Sequence, residues 1–324
     1  MNTKTFDWLL QGEPWIEYRT RLDLLRQSES DREVRAARKK MLIDPKIKSL
    51  LDELLDWPGT VLNSHKSASQ SFHKLSFIAD LGLRVDDPPV KKIVQKVMQH
   101  QSEQGPFQLS TNVPVHFGGD GKDQWAWALC DAPVIVSSLV RLGMQDDPRV
   151  QTAVQYLDAL VRENGWPCAV SPELGKFRGP GRKEDPCPYA TLVMLNVMAR
   201  IPALQKSKSA KVGVETLLSL WEHSQEEHPY IFYMGTDFRK LKAPLFWYDI
   251  LHVLDVLSHF EMARKDRRFR QMLSVVEAKA NTEGQFTPES IWTAWKGWDF
   301  TQKKVPSQGL TFFVRRILER SSRN

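Results

Sequence analysis

Residues 127–168 read WALCDAPVIVSSLVRLGMQDDPRVQTAVQYLDALVRENGWPC, and their pattern decides the fold. The first part, 127–142, is apolar on nearly every side, interrupted only by Asp131, two serines and Arg141. A helix apolar all round is surrounded by protein. Gly143 supplies the left-handed residue with which a helix ends at least cost. Asp147 then stands as an N-cap before Pro148, the first helical position, where proline sacrifices no hydrogen bond. The second helix carries Val150, Val154, Leu157 and Val161 on one face and Arg149, Gln151, Gln155 and Asp158 elsewhere. It is amphipathic. A fully buried helix followed by a half-buried one is the unit of the fold.

The unit recurs. An aspartate, an apolar residue three positions on and a glycine eighteen positions on occur as Asp87, Val90, Gly105, as Asp147, Val150, Gly165 and as Asp266, Phe269, Gly284. An aromatic follows each glycine within two positions: Phe107, Trp166 and Phe286. A fixed period of this kind signals stacked or circularly closed helix pairs, because one pair cannot bury its own apolar face.

Outward from that unit, the chain continues as helices. Three are expected within 6–56, then buried segments at 69–83, 187–201 and 245–260, each with an amphipathic partner behind it, and a last helix at 309–320. Long loops at 103–122, 166–186, 226–244 and 292–298 precede buried helices, where two to eight residues would suffice. No run reads as a strand. The expectation is an all-α protein: an α/α toroid of paired inner and outer helices with its long loops on one rim. Residues 1–66 form an N-terminal helical segment that would complete the ring, and 67–324 the toroid domain.

The 324 residues are 41% hydrophobic and 26% charged, enough for a large core. Lys plus Arg number 45 against 39 Asp plus Glu, a net charge of +6. The surplus is spread over 35–40, 264–270 and 315–323, which fits solvated outer faces and argues against nucleic acid as a partner. The N-terminal MNTKTFDWLLQGEP lacks the basic start and long apolar core of a secretory leader. No run reaches the ~18 apolar residues of a membrane span. Three cysteines, an odd number, speak against a disulfide framework, so a cytoplasmic location is expected.

The bends QGPF (104–107), NGWP (164–167) and EGQF (283–286) resemble degenerate Gln-Trp repeats of squalene cyclases. With the inner–outer alternation, the chain resembles the terpenoid-cyclase and protein-prenyltransferase superfamily, and most closely short bacterial squalene-cyclase-like proteins. DPRVQTAVQYL (147–157), GWPC (165–168), FWYDILHVLDVL (246–257) and VPSQGLTFFVRRIL (305–318) carry that resemblance. It implies a central apolar cavity and, in an active member, terpene cyclase- or prenyltransferase-like chemistry. Two departures stand out. The Asp-any-Asp-Asp acid motif of squalene-type cyclases is absent, Asp86-Asp87 and Asp146-Asp147 being turn and capping pairs. The loop GKFRGPGRKEDPCPY (175–189) resembles the glycine-rich loop ahead of a prenyltransferase zinc ligand, with Cys187 standing where a histidine would be expected nearby.

Three groups of residues are candidates for chemistry. Cys130, Cys168 and Cys187 lie at or between the starts of successive buried helices, and together would suit zinc; the alternative is that each is a small buried hydrophobe. Asp249 and His252, three apart among apolar neighbours, would pair a carboxylic acid of raised pKa with an orienting imidazole; the alternative is a buried polar pair bonded to loops. His73, Trp125, Trp127, Tyr189, Trp247 and Tyr248 would line a cavity, aromatic faces serving carbocations or apolar ligands, or would simply be core. Two functions follow: a toroid that binds or transforms an isoprenoid or other lipid, or a non-catalytic module for an unknown protein partner.

Overall fold

The computed structural model describes residues 3–323. The described residues are mostly helical: α1 (Thr3–Leu9), α2 (Pro14–Arg19), α3 (Arg32–Ile43), α4 (Pro45–Leu54), α5 (Ser71–Asp80), α6 (Pro88–Met98), α7 (Ala132–Leu139), α8 (Pro148–Ala159), α9 (Pro188–Met198), α10 (Lys208–Glu222), α11 (Ile250–Leu257), α12 (Glu261–Lys265), α13 (Arg267–Glu277) and α14 (Gln308–Ser321). They form two compact units. One is the continuous segment Leu51–Tyr233; the other joins Met1–Leu50 to Met234–Asn324.

In the continuous unit α5 packs on α7, α7 on α9 and α10 on α9, while α8 lies against both α7 and α9. Every residue of α7 and of α9 is buried. The helices α6, α8 and α10 bury one face only: Val90, Ile93, Val94 and Val97 of α6, and Val150, Ala153, Val154 and Leu157 of α8. In the other unit α11 packs on α14, α14 on α1 and α2, α13 on α11, and α3 on α2. There the N-terminal helices are structural partners of the C-terminal one.

The repeat seen in the sequence is a repeat of hydrogen bonds. Gly143 ends the α7 segment at φ 98°, and Asp147 caps α8 by accepting the Arg149 N–H. Asp266 caps α13 in the same way through Arg268. Asp87 instead accepts from Arg84 N–H at 2.8 Å. The bend glycines Gly105, Gly165 and Gly284 all have positive φ, at 111°, 115° and 74°, a region open to glycine at little cost. At the second bend Trp166 N–H donates to Thr191 Oγ1 (3.1 Å), and Thr216 Oγ1 lies 2.9 Å from the Asn164 carbonyl. At the third, Phe286 N–H donates to Thr311 Oγ1 (3.0 Å) and Thr5 Oγ1 to the Glu283 carbonyl (2.6 Å). Thr191 and Thr311 open buried helices. Thr216 sits on the partner helix α10, and its counterpart Thr5 comes from α1, so the first helix of the chain does for α14 what α10 does for α9.

A side chain at Gly165 meets both hydroxyls, its Cβ falling 3.0 Å from Thr191 Oγ1 and 3.0 Å from Thr216 Oγ1. Backbone strain and crowding add. Gly165→Ala is expected to destabilise the protein by about 2–3 kcal/mol, measured by urea unfolding. A change within about 0.5 kcal/mol would show that the bend relaxes freely.

The structure corrects three expectations. The buried helix expected at 127–142 begins only at Ala132, because 127–131 pass from extended chain into a turn: Trp127 and Leu129 exchange hydrogen bonds with 169–171, and Asp131 N–H closes the turn on the Ala128 carbonyl. Likewise 245–249 precede α11, with Asp249 extended (φ −144°, ψ 170°). Third, the loop 103–122 contains half of an antiparallel hairpin, β1 (Leu109–Asn112) paired with β2 (Asp123–Ala126). The turn between them holds Gly118 and Gly121 at positive φ. Leu62 bridges to Thr111 beside β1, and Val113, Ala126 and Leu174 form a small core with Val170 and Phe177. These contacts gather the loops ahead of α5, α7 and α9 into one layer.

Candidate functional site

In the continuous unit the segments that carry the three cysteines come together, Leu129 N–H donating to the Ala169 carbonyl (2.9 Å) and Cys187 N–H to the Trp166 carbonyl (2.7 Å). Cys187 is the N-cap of α9, its Sγ accepting the Ala190 N–H at 3.5 Å, and it is 3% exposed. Cys130, just ahead of α7, is hydrogen-bonded to Cys187 through its side chain. Cys168 comes from the loop between them and accepts the Gly179 N–H at 3.2 Å. All three are free thiols. Hydrogen bonding from Cys130 and the amides of α9's first turn hold the Cys187 thiol below its usual range, whereas the same contact and burial raise Cys130. Burial pushes Cys168 up to about 11.

The surroundings explain the glycine-rich loop. Tyr230, itself left-handed at φ 53°, lays its ring against Gly179 and Gly181, where a Cβ would come within 3.1 and 2.6 Å of the ring. Its hydroxyl donates to the Arg182 carbonyl at 2.8 Å, and burial raises its pKa. Beside Cys130, the buried Asp131 accepts from Ala128 N–H (3.1 Å) and contacts His65 Nε2 at 2.7 Å. His73 Nε2 in turn contacts the His65 carbonyl (2.8 Å), and its ring packs on Phe72. Sequence reasoning missed Tyr230 and His65. Asp131 carried a signal: it is an ionisable residue within an otherwise apolar run.

Among the described residues no group of three or more His, Cys, Asp and Glu side chains is disposed to hold a metal ion.

In the other unit Asp249 caps α11, its Oδ1 accepting the His252 N–H at 3.0 Å. The two residues thus meet as N-cap and first turn rather than as one helix face. The His252 ring turns to the Trp247 carbonyl through Nδ1 (2.9 Å). Asp249 is 6% exposed, and its Oδ2 is buried with no hydrogen-bond partner. Burial is the dominant influence on this carboxyl and lifts its pKa to about 7, against the pull of the helix amides and of Lys242. Tyr248 packs on Phe238, and Phe246 on Trp292 and Trp295. Lys242 lies over the Trp292 ring, 3.1 Å from its centroid.

The remaining aromatic candidates are placed singly. Trp125 stacks on His100 at 3.4 Å, Trp127 meets Tyr156 edge-on and reaches Gln104, and Tyr189 lies parallel to Phe232. A cleft of about 920 Å³ opens beside α10, but it is charged, with Glu163, Arg182, Lys211, Glu215 and Glu226 on its walls.

The likeness of this chain to solved structures is one of fold alone. The Lin0763 protein from Listeria innocua aligns over 96% of this chain and 85% of its own, with a TM-score of 0.51 at 11% identity. A protein from Actinoplanes aligns over 96% and 90%, with a TM-score of 0.44 at 15% identity. No family model matches the chain, and no curated protein matches it. Among the described residues no helix is long and apolar enough to cross a membrane.

Proposed function

We propose that this chain is an α/α toroid of the squalene-cyclase-like kind that binds an isoprenoid or another apolar lipid, with Asp249 as its acid. The observation that carries this reading is the buried, unpartnered Asp249 Oδ2 on a carboxyl whose pKa stands about 7. Such a group is protonated for much of the time near neutrality, and a carboxylic acid in an apolar wall can donate its proton to an alkene or a hydroxyl leaving group. It would take the place of the missing Asp-any-Asp-Asp acid. The alternation of fully buried and half-buried helices within each unit, and the repeated glycine–aromatic bends, support the toroid.

A second reading, a non-catalytic partner module, rests on a different observation. Asp249 Oδ1 occupies the capping role that Cys187 fills on α9 and Ser307 on α14. One oxygen is therefore accounted for by the fold. Native mass spectrometry of the protein as purified, with organic extraction and incubation with a polyprenyl alcohol or squalene, separates the two. The ligand-binding reading expects a lipid adduct, and conversion that Asp249→Asn reduces about 100-fold or more while the adduct persists. No adduct from any apolar probe overturns it and leaves the partner module.

A further inference from the structure

We propose that Cys130 and Cys187 are a peroxide-oxidisable dithiol that closes to an intramolecular disulfide between the approach to α7 and the first turn of α9. The three cysteine-bearing segments are joined by backbone hydrogen bonds beside each cysteine, Leu129 to Ala169 and Cys187 to Trp166, and the Cys130 and Cys187 side chains are in contact. The pair is asymmetric. Cys187 accepts from the Ala190 amide at the positive end of α9, where a thiolate is favoured. Cys130 is its hydrogen-bond donor and carries the proton. Cys187 is almost wholly covered, so its oxidant must be small. A hydroperoxide meets that condition.

The electrons balance in two steps. The Cys187 thiolate attacks one peroxide oxygen, the O–O bond breaks, and hydroxide leaves as the sulfur becomes a sulfenic acid. The Cys130 thiol then attacks the Cys187 sulfur; the S–S bond forms, the S–O bond breaks, and water leaves with the Cys130 proton. Two thiols and one hydrogen peroxide give one disulfide and two waters. Cys168, whose thiol is held protonated and which is engaged with Gly179, is not the resolving partner.

The test uses the reduced full chain, treated with hydrogen peroxide at stoichiometric amounts, quenched by alkylation and mapped by peptide mass spectrometry. The expected product has lost two hydrogens and yields a Cys130–Cys187 linked peptide, with Cys168 alkylated. Cys130→Ser should leave Cys187 as a sulfenic acid, trapped by a diketone probe present as the chain is unfolded. Cys187→Ser retains a capping hydroxyl, as Ser307 supplies on α14, so its fold is kept, and oxidation of Cys130 should slow about tenfold or more. Three thiols still alkylated after peroxide, a disulfide through Cys168, or equal oxidation of Cys130 in Cys187→Ser would each overturn the proposal.

Discussion

Asp249→Asn should make the protein more stable at pH 8 and flatten the dependence of its unfolding on pH between 5 and 8. The sign follows from the carboxyl's raised pKa of about 7 against an ordinary 3.8. Below about pH 4 the group is protonated folded and unfolded, and contributes nothing to the difference. Between 4 and 7 the folded state keeps a proton that the unfolded chain releases, so stability falls as pH rises and levels off above 7. A shift of about three units is worth about 4 kcal/mol across that window. Asparagine removes the ionisation. Its carbonyl can still accept the His252 N–H, while its amide, set where Oδ2 lacks a partner, forfeits about 1–2 kcal/mol. The net gain at pH 8 is about 2 kcal/mol. Asp299, also raised by burial, has the same sign and is untouched by the substitution, so a residual slope belongs to it. Urea unfolding of both proteins at several pH values decides the matter: a wild-type midpoint that does not move from pH 5 to 8 would mean that water reaches Oδ2.

The fold was legible where sequence period and backbone requirement coincide. Asp147, Gly143 and Gly165 each do what their residue type does best, as cap, left-handed stop and bend. The starts of the buried helices were not legible. Residues 127–131 and 245–249 are as apolar as the helices they precede, and a continuous apolar run reads alike as helix or buried extended chain. An aspartate stands at each N-terminal boundary, Asp249 capping α11 and Asp131 turned back to the Ala128 amide, and the sequence shows them only as an interruption or a site. The hairpin β1–β2 escaped because its strands are four residues each and sit among glycines and prolines. The N-terminal segment's attachment was open too, since nothing in the spacing of Thr5 shows that it serves the Gly284 bend from 278 residues away. For the candidate site, the sequence placed Cys130 and Cys187 at the starts of successive buried helices and Cys168 in the loop between them, which suffices to bring their segments together. It could not reveal that Cys130 and Cys187 share a hydrogen bond, because that is set by side-chain direction rather than by spacing.

Removing the carboxylate of Asp255 should cost more than any other single change in the unit that joins the two chain ends. Asp255 is 5% exposed on α11 and receives Arg316 (3.4 Å) and Arg320, one turn apart on α14. Arg316 lies 4.0 Å from Asp23 and over the rings of Phe312 and Phe313, and Arg320 also contacts His259. Burial already depresses Arg320 below its usual range, and Asp255 is the larger of the two charges that oppose this, the other being Asp23. Asp255→Ala strands the Arg320 guanidinium in a site of low polarity and takes from Arg316 the nearer of its two carboxylates, at a cost of about 3–5 kcal/mol. The whole cluster is worth far less than that figure, because most of it is the penalty of an unpaired buried charge. The double substitution Asp255→Ala with Arg320→Met should therefore recover about 1–2 kcal/mol of the loss, since the stranded cation is gone and Arg316 keeps Asp23. Urea unfolding of the two single variants and the double closes the cycle. Strictly additive losses would mean that solvent, not Asp255, holds Arg320, and the link from α11 to α14 would then rest on apolar packing alone.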